Sequence, residues 1–215
     1  MEKIQLQFTF WLGKSASGKD TQAEIIEGKL PNTIRRSTGD IFRSAKYGVG
    51  EFAKYHSILE PYINNVDSGG LIPDEPIVNI VNEVILEDIK AGKRTFLYTG
   101  FPRTVIQLNL IDEMFRNISN TDFEIKTDYI YYSVTDETAR ERAEKRYQFA
   151  LDMGETPRDD DTPEAFEKKL QDFYKLTKPL IQRLSIEDRL TIINSEKTIP
   201  EIEIETSQMF SKERV

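Results

Sequence analysis

The sequence predicts an α/β fold, a five-stranded parallel sheet flanked by helices, and three features predict it. Ile4 to Leu12 is apolar at almost every second residue and then continuously, as in a strand buried within a parallel sheet, and it ends at Gly13. A glycine-bounded loop follows at once and leads into helical spacing. Strand-like and helix-like segments then alternate to the end of the chain, which implies right-handed crossovers, helices on both faces and a ligand at the carboxyl ends of the strands.

After the loop, Thr21 to Leu30 reads as a helix and Thr33 to Arg36 as a short strand. Gly39 to Lys46 and Glu51 to Asn64 have helical spacing, which Gly69 and Gly70 break. Pro73 opens a long amphipathic helix through Ile77, Ile80, Val81, Val84, Ile85 and Ile89, closed by Gly92. Thr95 to Tyr98 is a strand, Val105 to Phe115 a helix, Tyr129 to Val134 a strand of β-branched and aromatic residues, and Glu137 to Leu151 a helix. A polar loop spans Asp152 to Asp161, after which Glu164 to Leu184, Leu190 to Asn194 and Ile199 to Phe210 read as helix, strand and helix. Trp11 reads as core and His56 as a helix surface residue.

Length and composition bound the function. The 215 residues fit one domain, 1–215, with small mobile inserts, and 38% hydrophobic with 31% charged residues is a globular balance. No apolar run is long enough to cross a membrane and no signal peptide is evident, so the expectation is a soluble cytoplasmic chain with no membrane partner. Cysteine is absent and histidine occurs once, which rules out a disulfide framework, a thiolate metal site, an imidazole cluster and hence structural zinc. A net charge of −8 argues against a nucleic-acid polymer as partner but leaves room for a local basic cleft around a small phosphate ligand.

The loop itself reads Gly13-Lys14-Ser15-Ala16-Ser17-Gly18-Lys19-Asp20-Thr21, the pattern of Gly, four residues, Gly and Lys between strand and helix. Small residues let successive N–H groups turn toward phosphate oxygens, the helix start adds a positive dipole end, and Lys19 can bridge terminal phosphates. Asp20 stands where this pattern usually carries Ser or Thr, and a carboxylate beside phosphates is repulsive unless a cation intervenes. Three more clusters follow: Ser37-Thr38-Gly39-Asp40-Ile41-Phe42-Arg43, Gly70-Leu71-Ile72-Pro73-Asp74-Glu75, and Gly100-Phe101-Pro102-Arg103-Thr104 with Gln107. Taken singly, each has a plain reading beside the chemical one. Asp40 could simply cap a helix beside a solvated Arg43, or Arg43 could clamp an anionic acceptor. Gly70 to Ile72 is a loop into a helix or a backbone approach to a base, and Gln107 is a surface amide or a partner for an adenine edge.

In this order, and over nearly the whole chain, the four clusters resemble the adenylate kinase family of nucleoside monophosphate kinases, of the short-lid type. The resemblance implies a P-loop NTPase-like fold with a mobile segment near 38–72 that binds the monophosphate and a short lid near 147–158. It implies reversible Mg²⁺-dependent transfer from ATP to AMP giving two ADP, by a monomer. ATP would be held by Gly13, Ser15, Ala16, Ser17, Gly18, Lys19, Asp20, Thr21, Arg142, Arg146 and Lys197. AMP would be held by Thr38, Gly39, Phe42, Arg43, Ile72, Gly100, Arg103 and Gln107, with Thr38 and Gln107 pointing to AMP over other acceptors. Lys19, Arg103, Arg146, Arg158 and Lys169 would be catalytic.

Further departures qualify the resemblance. The family generally has Asp where this chain has Thr99, and a hydroxyl cannot supply that charge; Asp20 either offsets it at Mg²⁺, with Thr99 acting through water, or merely caps the helix start. Lys169 falls where most relatives carry arginine, keeping charge but losing bidentate geometry. The stretch from Asp40 to Leu71 is also several residues longer than in typical relatives. The competing readings are a kinase for UMP, CMP or another small acceptor, and a nucleotide-binding regulator with little catalysis.

Overall fold

A computed structural model describes residues 3–119 and 122–211. Its sheet contains β1 (Ile4–Gly13), β2 (Thr33–Ser37), β3 (Thr95–Thr99), β4 (Phe123–Ser133) and β5 (Leu190–Asn194). They lie in the order β2-β3-β1-β4-β5 and all pair in parallel. Register pairs Trp11 and Ser37 with Thr99, and Gly13 with Tyr132, so the strands end along one edge. The order reverses around β1, which opens the crevice at its carboxyl end.

The pleat of β1 divides the core. Leu6, Phe8, Phe10 and Leu12 point to one face, where Phe96, Tyr98 and Tyr129 join them beneath α5 (Asp74–Lys90), α6 (Val105–Ser119) and α9 (Lys178–Ile186). The Phe10 ring lies 5.2 Å from that of Tyr129 and 5.8 Å from that of Tyr98. On the other face Trp11, Leu97, Ile130 and Tyr132 pack against α1 (Lys19–Glu27) and α10 (Ile199–Ser211). Burial of these large side chains on both faces, at about 1.5–3 kcal/mol each, fixes the strands against one another and so fixes the loops at their ends.

Between β2 and α5, α2 (Thr38–Tyr47) packs Ile41, Phe42 and Ala45 with Tyr55 and Leu59 against Ile80 and Val84 of α5. The single helix expected from Glu51 to Asn64 is instead a chain of short turns: a 3₁₀ turn Ala53–Tyr55, α3 (His56–Leu59), a second 3₁₀ turn Glu60–Tyr62, and α4 (Ile63–Asp67). Pro61 has no N–H for a continuous ladder, which accounts for the break. The helix expected from Glu164 to Leu184 is likewise interrupted. α8 (Pro163–Asp172) and α9 are joined by a π turn, Phe173–Thr177, just before Pro179 removes another N–H.

Helix ends follow local chemistry. α1 begins two residues earlier than expected, directly from Gly18 at φ 86°, and ends at Glu27. Past α5, Gly92 at φ 86° lets its own N–H reach Ile89 and that of Lys93 reach Asp88, both at 3.0 Å. α7 (Asp136–Asp152) starts under Thr135, whose hydroxyl accepts the Thr138 N–H. It consumes the first residue of the expected polar loop, leaving 153–158 and the 3₁₀ turn Asp159–Asp161. β4 begins earlier than expected, because exposed Glu124 and Lys126 mask its first half. Among the described residues, no helix is long and apolar enough to cross a membrane.

Candidate functional site

At the carboxyl ends of the strands lies a cleft of about 730 Å³, entered by the loop after β1 and walled by α2, the segment before α5, the β3–α6 turn and the α7–α8 connection. The loop needs its glycines. A Cβ on Gly13 would meet the Ser17 hydroxyl at 2.7 Å and the Tyr132 carbonyl at 3.0 Å, while Gly18 adopts φ 86°. Ala16 also takes φ 60°, so the chain turns tightly over the start of α1. The Ser195 hydroxyl donates to the Ser17 carbonyl at 2.7 Å and the Arg142 guanidinium to the Ser195 carbonyl at 2.8 Å, tying the loop to the end of β5. Buried Lys14 donates to the Val134 carbonyl at 2.8 Å and pairs with Asp136, which also accepts from the Tyr174 hydroxyl. Lys14 thus anchors the loop to Val134 and Asp136, while Lys19 lies at the cleft beside Asp20.

Asp20 lies beside Lys19 at the mouth of the loop. Its carboxylate accepts from the Lys19 ammonium at 2.9 Å and, through the other oxygen, from the Thr99 hydroxyl at 2.6 Å. Burial opposes ionisation, but Lys19, Thr99 and Arg35 outweigh it and hold the Asp20 carboxyl well below the usual carboxylate range. Two of the residues that depart from the family pattern, Asp20 and Thr99, are therefore in direct contact. A carboxylate favoured in its charged form sits where Thr99 itself brings none.

On the opposite wall, Thr38 begins α2 and donates its hydroxyl to the Gly100 carbonyl at 2.9 Å, which also accepts from Arg103 Nε at 2.8 Å. Gly100 stands at φ 74°, and a Cβ there would meet the Thr38 hydroxyl at 2.8 Å. Phe101-Pro102 is cis. Arg43 reaches Asp40 at 2.5 Å one turn into α2. Gln107 is buried beside Arg103: its carbonyl accepts the Arg103 N–H at 2.7 Å and its amide donates to Asp74 at 2.9 Å.

The third wall brings further cations. Arg146 of α7 makes a two-pronged pair with Asp161 at 2.8 and 2.6 Å, and Lys169 of α8 reaches Asp160 at 2.6 Å and Asp161 at 3.6 Å. Burial, with Arg43 and Arg146 adding to it, pulls the Arg158 guanidinium below its ordinary value, and burial does the same to Arg103 and Lys169. Cations crowded together in a partly desolvated cleft are a site prepared for a polyanion.

Most of the residues expected from sequence line this one cleft: Gly13, Ser15, Ala16, Lys19, Asp20 and Thr21 on one side, Thr38, Gly39, Phe42, Arg43, Ile72, Gly100, Arg103 and Gln107 on the other, with Arg146, Arg158 and Lys169 closing it. Ser17 and Gly18 complete the loop behind that surface. Arg142 lies beside the loop rather than on the cleft wall, and Lys197 is paired with Glu205 on α10. Lys14 and Asp74 fall within the sequence motifs but gain no role there, and the Lys46–Asp159 pair is unmarked, because these roles depend on partners distant along the chain. Among the described residues no group of three acidic or histidine side chains is placed to hold a metal alone.

Fold and cleft are those of a nucleoside monophosphate kinase. The chain belongs to the adenylate kinase family, whose model matches residues 11–188. It is similar to the adenylate kinase of Nautilia profundicola, 31% identical over 202 residues that cover 94% of each chain. It is similar also to that of Listeria monocytogenes serotype 4b, 31% identical over 93% of this chain and 97% of the relative, and to that of Rhizobium meliloti, 32% identical over 86% and 89%.

Proposed function

We propose that this chain transfers the terminal phosphoryl group of Mg²⁺-bound ATP to AMP, reversibly, giving two ADP. The observation that carries the reading is the convergence of Lys19, Arg43, Arg103, Arg146, Arg158 and Lys169, from six separate parts of the chain, on one cleft at the mouth of a phosphate loop. In-line transfer asks little covalent chemistry of a protein; positioning and charge neutralisation supply most of the rate. In this reading the loop amides and Lys19 hold the ATP phosphates, and Arg43 and Arg103 hold the acceptor phosphate. Arg103, Arg146, Arg158 and Lys169 surround the migrating group. Residues 38–72 form the acceptor arm and 147–158 the lid, which closes to exclude water.

The residues present fit Mg²⁺. The ion needs only one or two carboxylates beside phosphate oxygens and water, and Asp20, kept ionised at the loop mouth by Lys19 and Thr99, offers one. Held there by Asp20, the ion would supply charge neutralisation to the ATP phosphates. AMP is favoured among acceptors by Thr38 at the start of α2 and by the Gln107 amide on the wall opposite the loop.

The test is the initial rate of ADP formation from ATP and Mg²⁺ with AMP, UMP, CMP, GMP and dTMP as acceptors. The expected outcome is a kcat/KM for AMP at least about a hundred-fold above every other acceptor. A higher value for a pyrimidine acceptor would assign the same chemistry to a different substrate, and no turnover on any acceptor would overturn the proposal.

A further inference from the structure

Asp74 does not line the cleft, yet it controls a group that does. Resting on the reading above, in which Gln107 faces the acceptor base, we infer that Asp74 is a specificity-determining positioning residue: it fixes which end of the Gln107 amide meets which edge atom, and so selects adenine over 6-oxopurines.

Asp74 is the first residue of α5 and Gln107 lies in the first turn of α6. One Asp74 oxygen, Oδ1, accepts from Gln107 Nε2 at 2.9 Å and from the Thr104 hydroxyl at 2.8 Å. The Thr104 oxygen in turn accepts the Gln107 backbone N–H at 3.0 Å, closing a small network around the glutamine. At its other end, Gln107 Oε1 accepts the Arg103 backbone N–H at 2.7 Å.

The two ends of a carboxamide match in shape and differ in chemistry. An ionised carboxylate can only accept a hydrogen bond and a backbone N–H can only donate one. Turning the amide over would set NH₂ against the Arg103 N–H and carbonyl oxygen against Asp74, losing both bonds and gaining two repulsions. Gln107 is 3% exposed, so water cannot replace what is lost.

In its fixed orientation Gln107 keeps one amide hydrogen and one carbonyl lone pair for a ligand. Adenine offers a donor at position 6 beside an acceptor at position 1; hypoxanthine offers an acceptor and a donor in the opposite order. An amide bridging those positions must be turned over to serve the second base. The acceptor phosphate, held by Arg43 and Arg103, prevents the base from reversing instead. Asp74 and the Arg103 N–H thereby convert a two-faced side chain into a one-way reader.

The experiment compares kcat/KM for AMP and for inosine monophosphate, which has the same size and swaps only this order. Asp74→Ala and Asp74→Ser should each lower the AMP preference by roughly ten-fold or more, chiefly through the KM of the acceptor, with the KM of ATP unchanged. Serine is included because it keeps a good helix start, and thermal melting with ATP confirms that each variant is folded. Asp74→Asn, whose side-chain oxygen can accept the same two bonds, should retain wild-type selectivity. Equal losses with both acceptors from Asp74→Ala and Asp74→Ser, or unchanged selectivity while Gln107→Ala abolishes it, would overturn the inference alone. If Gln107→Ala leaves the ratio untouched, adenine reading by Gln107 is what has failed, and the inference falls with it.

Discussion

At the scale of single residues, the contact between Asp20 and Thr99 carries the sharpest consequence. The Thr99 hydroxyl is 2.6 Å from an Asp20 oxygen, so a carboxylate built at position 99 would reach the same point from the strand instead of the helix. Asp20→Gly alone should lower Mg²⁺-dependent kcat by roughly 10- to 100-fold, the usual size of losing a group that supports a bound metal. Thr99→Asp alone should also impair the enzyme, because two carboxylates in contact cannot both stay ionised near neutral pH. Together, Thr99→Asp and Asp20→Gly should recover most of the activity, and steady-state rates against Mg²⁺ concentration check it. A double variant as poor as either single one would mean that the two positions do not trade a charge. Both departures could be read from the amino acids in order, and so could Lys19, Arg43 and Arg103, since each sits in a short motif. Their contact could not, because it joins the start of α1 to the end of β3 across the sheet edge. Asp74 and Lys14 stayed hidden for the same reason: one acts through Gln107, the other through Val134 and Asp136.

At the scale of elements, the proposed acceptor arm, 38–72, touches the chain just past the proposed lid, 147–158. Lys46 at the end of α2 reaches Asp67 at 2.8 Å and Asp159 at 2.5 Å, and the Tyr47 hydroxyl donates to Asp159 at 2.8 Å. Backbone contact accompanies these bonds, for a Cβ on Gly69 would meet the Ala165 carbonyl at 2.2 Å. Partly exposed pairs of this kind contribute about 1 kcal/mol or less apiece, enough to bias closure without locking it. Lys46→Ala should raise the KM of both nucleotides about 2- to 10-fold and leave kcat at or above wild type, because opening to release product becomes easier. Steady-state kinetics read this directly; a lower kcat with unchanged KM would show that the contact serves the transfer step instead. The long amphipathic helix α5 and the five strands were legible from hydrophobic period and glycine stops. The arm's broken turns and the π turn before α9 were less so, since Pro61 and Pro179 interrupt ladders inside stretches whose apolar spacing still reads as helix.

At the scale of the whole molecule, parallel strands ending on one edge gather residues that the chain scatters. β1 delivers the phosphate loop, β2 delivers Thr38 and Arg43, and β3 delivers Thr99, Gly100 and Arg103. The core on both faces of β1 fixes that edge, while α2 with the turns after it, and α7 with α8, pack in smaller clusters of their own. In the proposed reading, the sheet edge is a fixed phosphate platform and the arm and lid are its two covers, as two-substrate transfer with water excluded requires. If both substrates are adenine nucleotides, the cleft must also accept two molecules of the same product and run backwards. Purified chain given only ADP and Mg²⁺ should form ATP and AMP in equal amounts until all three reach equilibrium, followed by phosphorus resonance or chromatography. Equal yields would establish AMP as the acceptor without choosing a panel; ADP left unconverted would contradict the account.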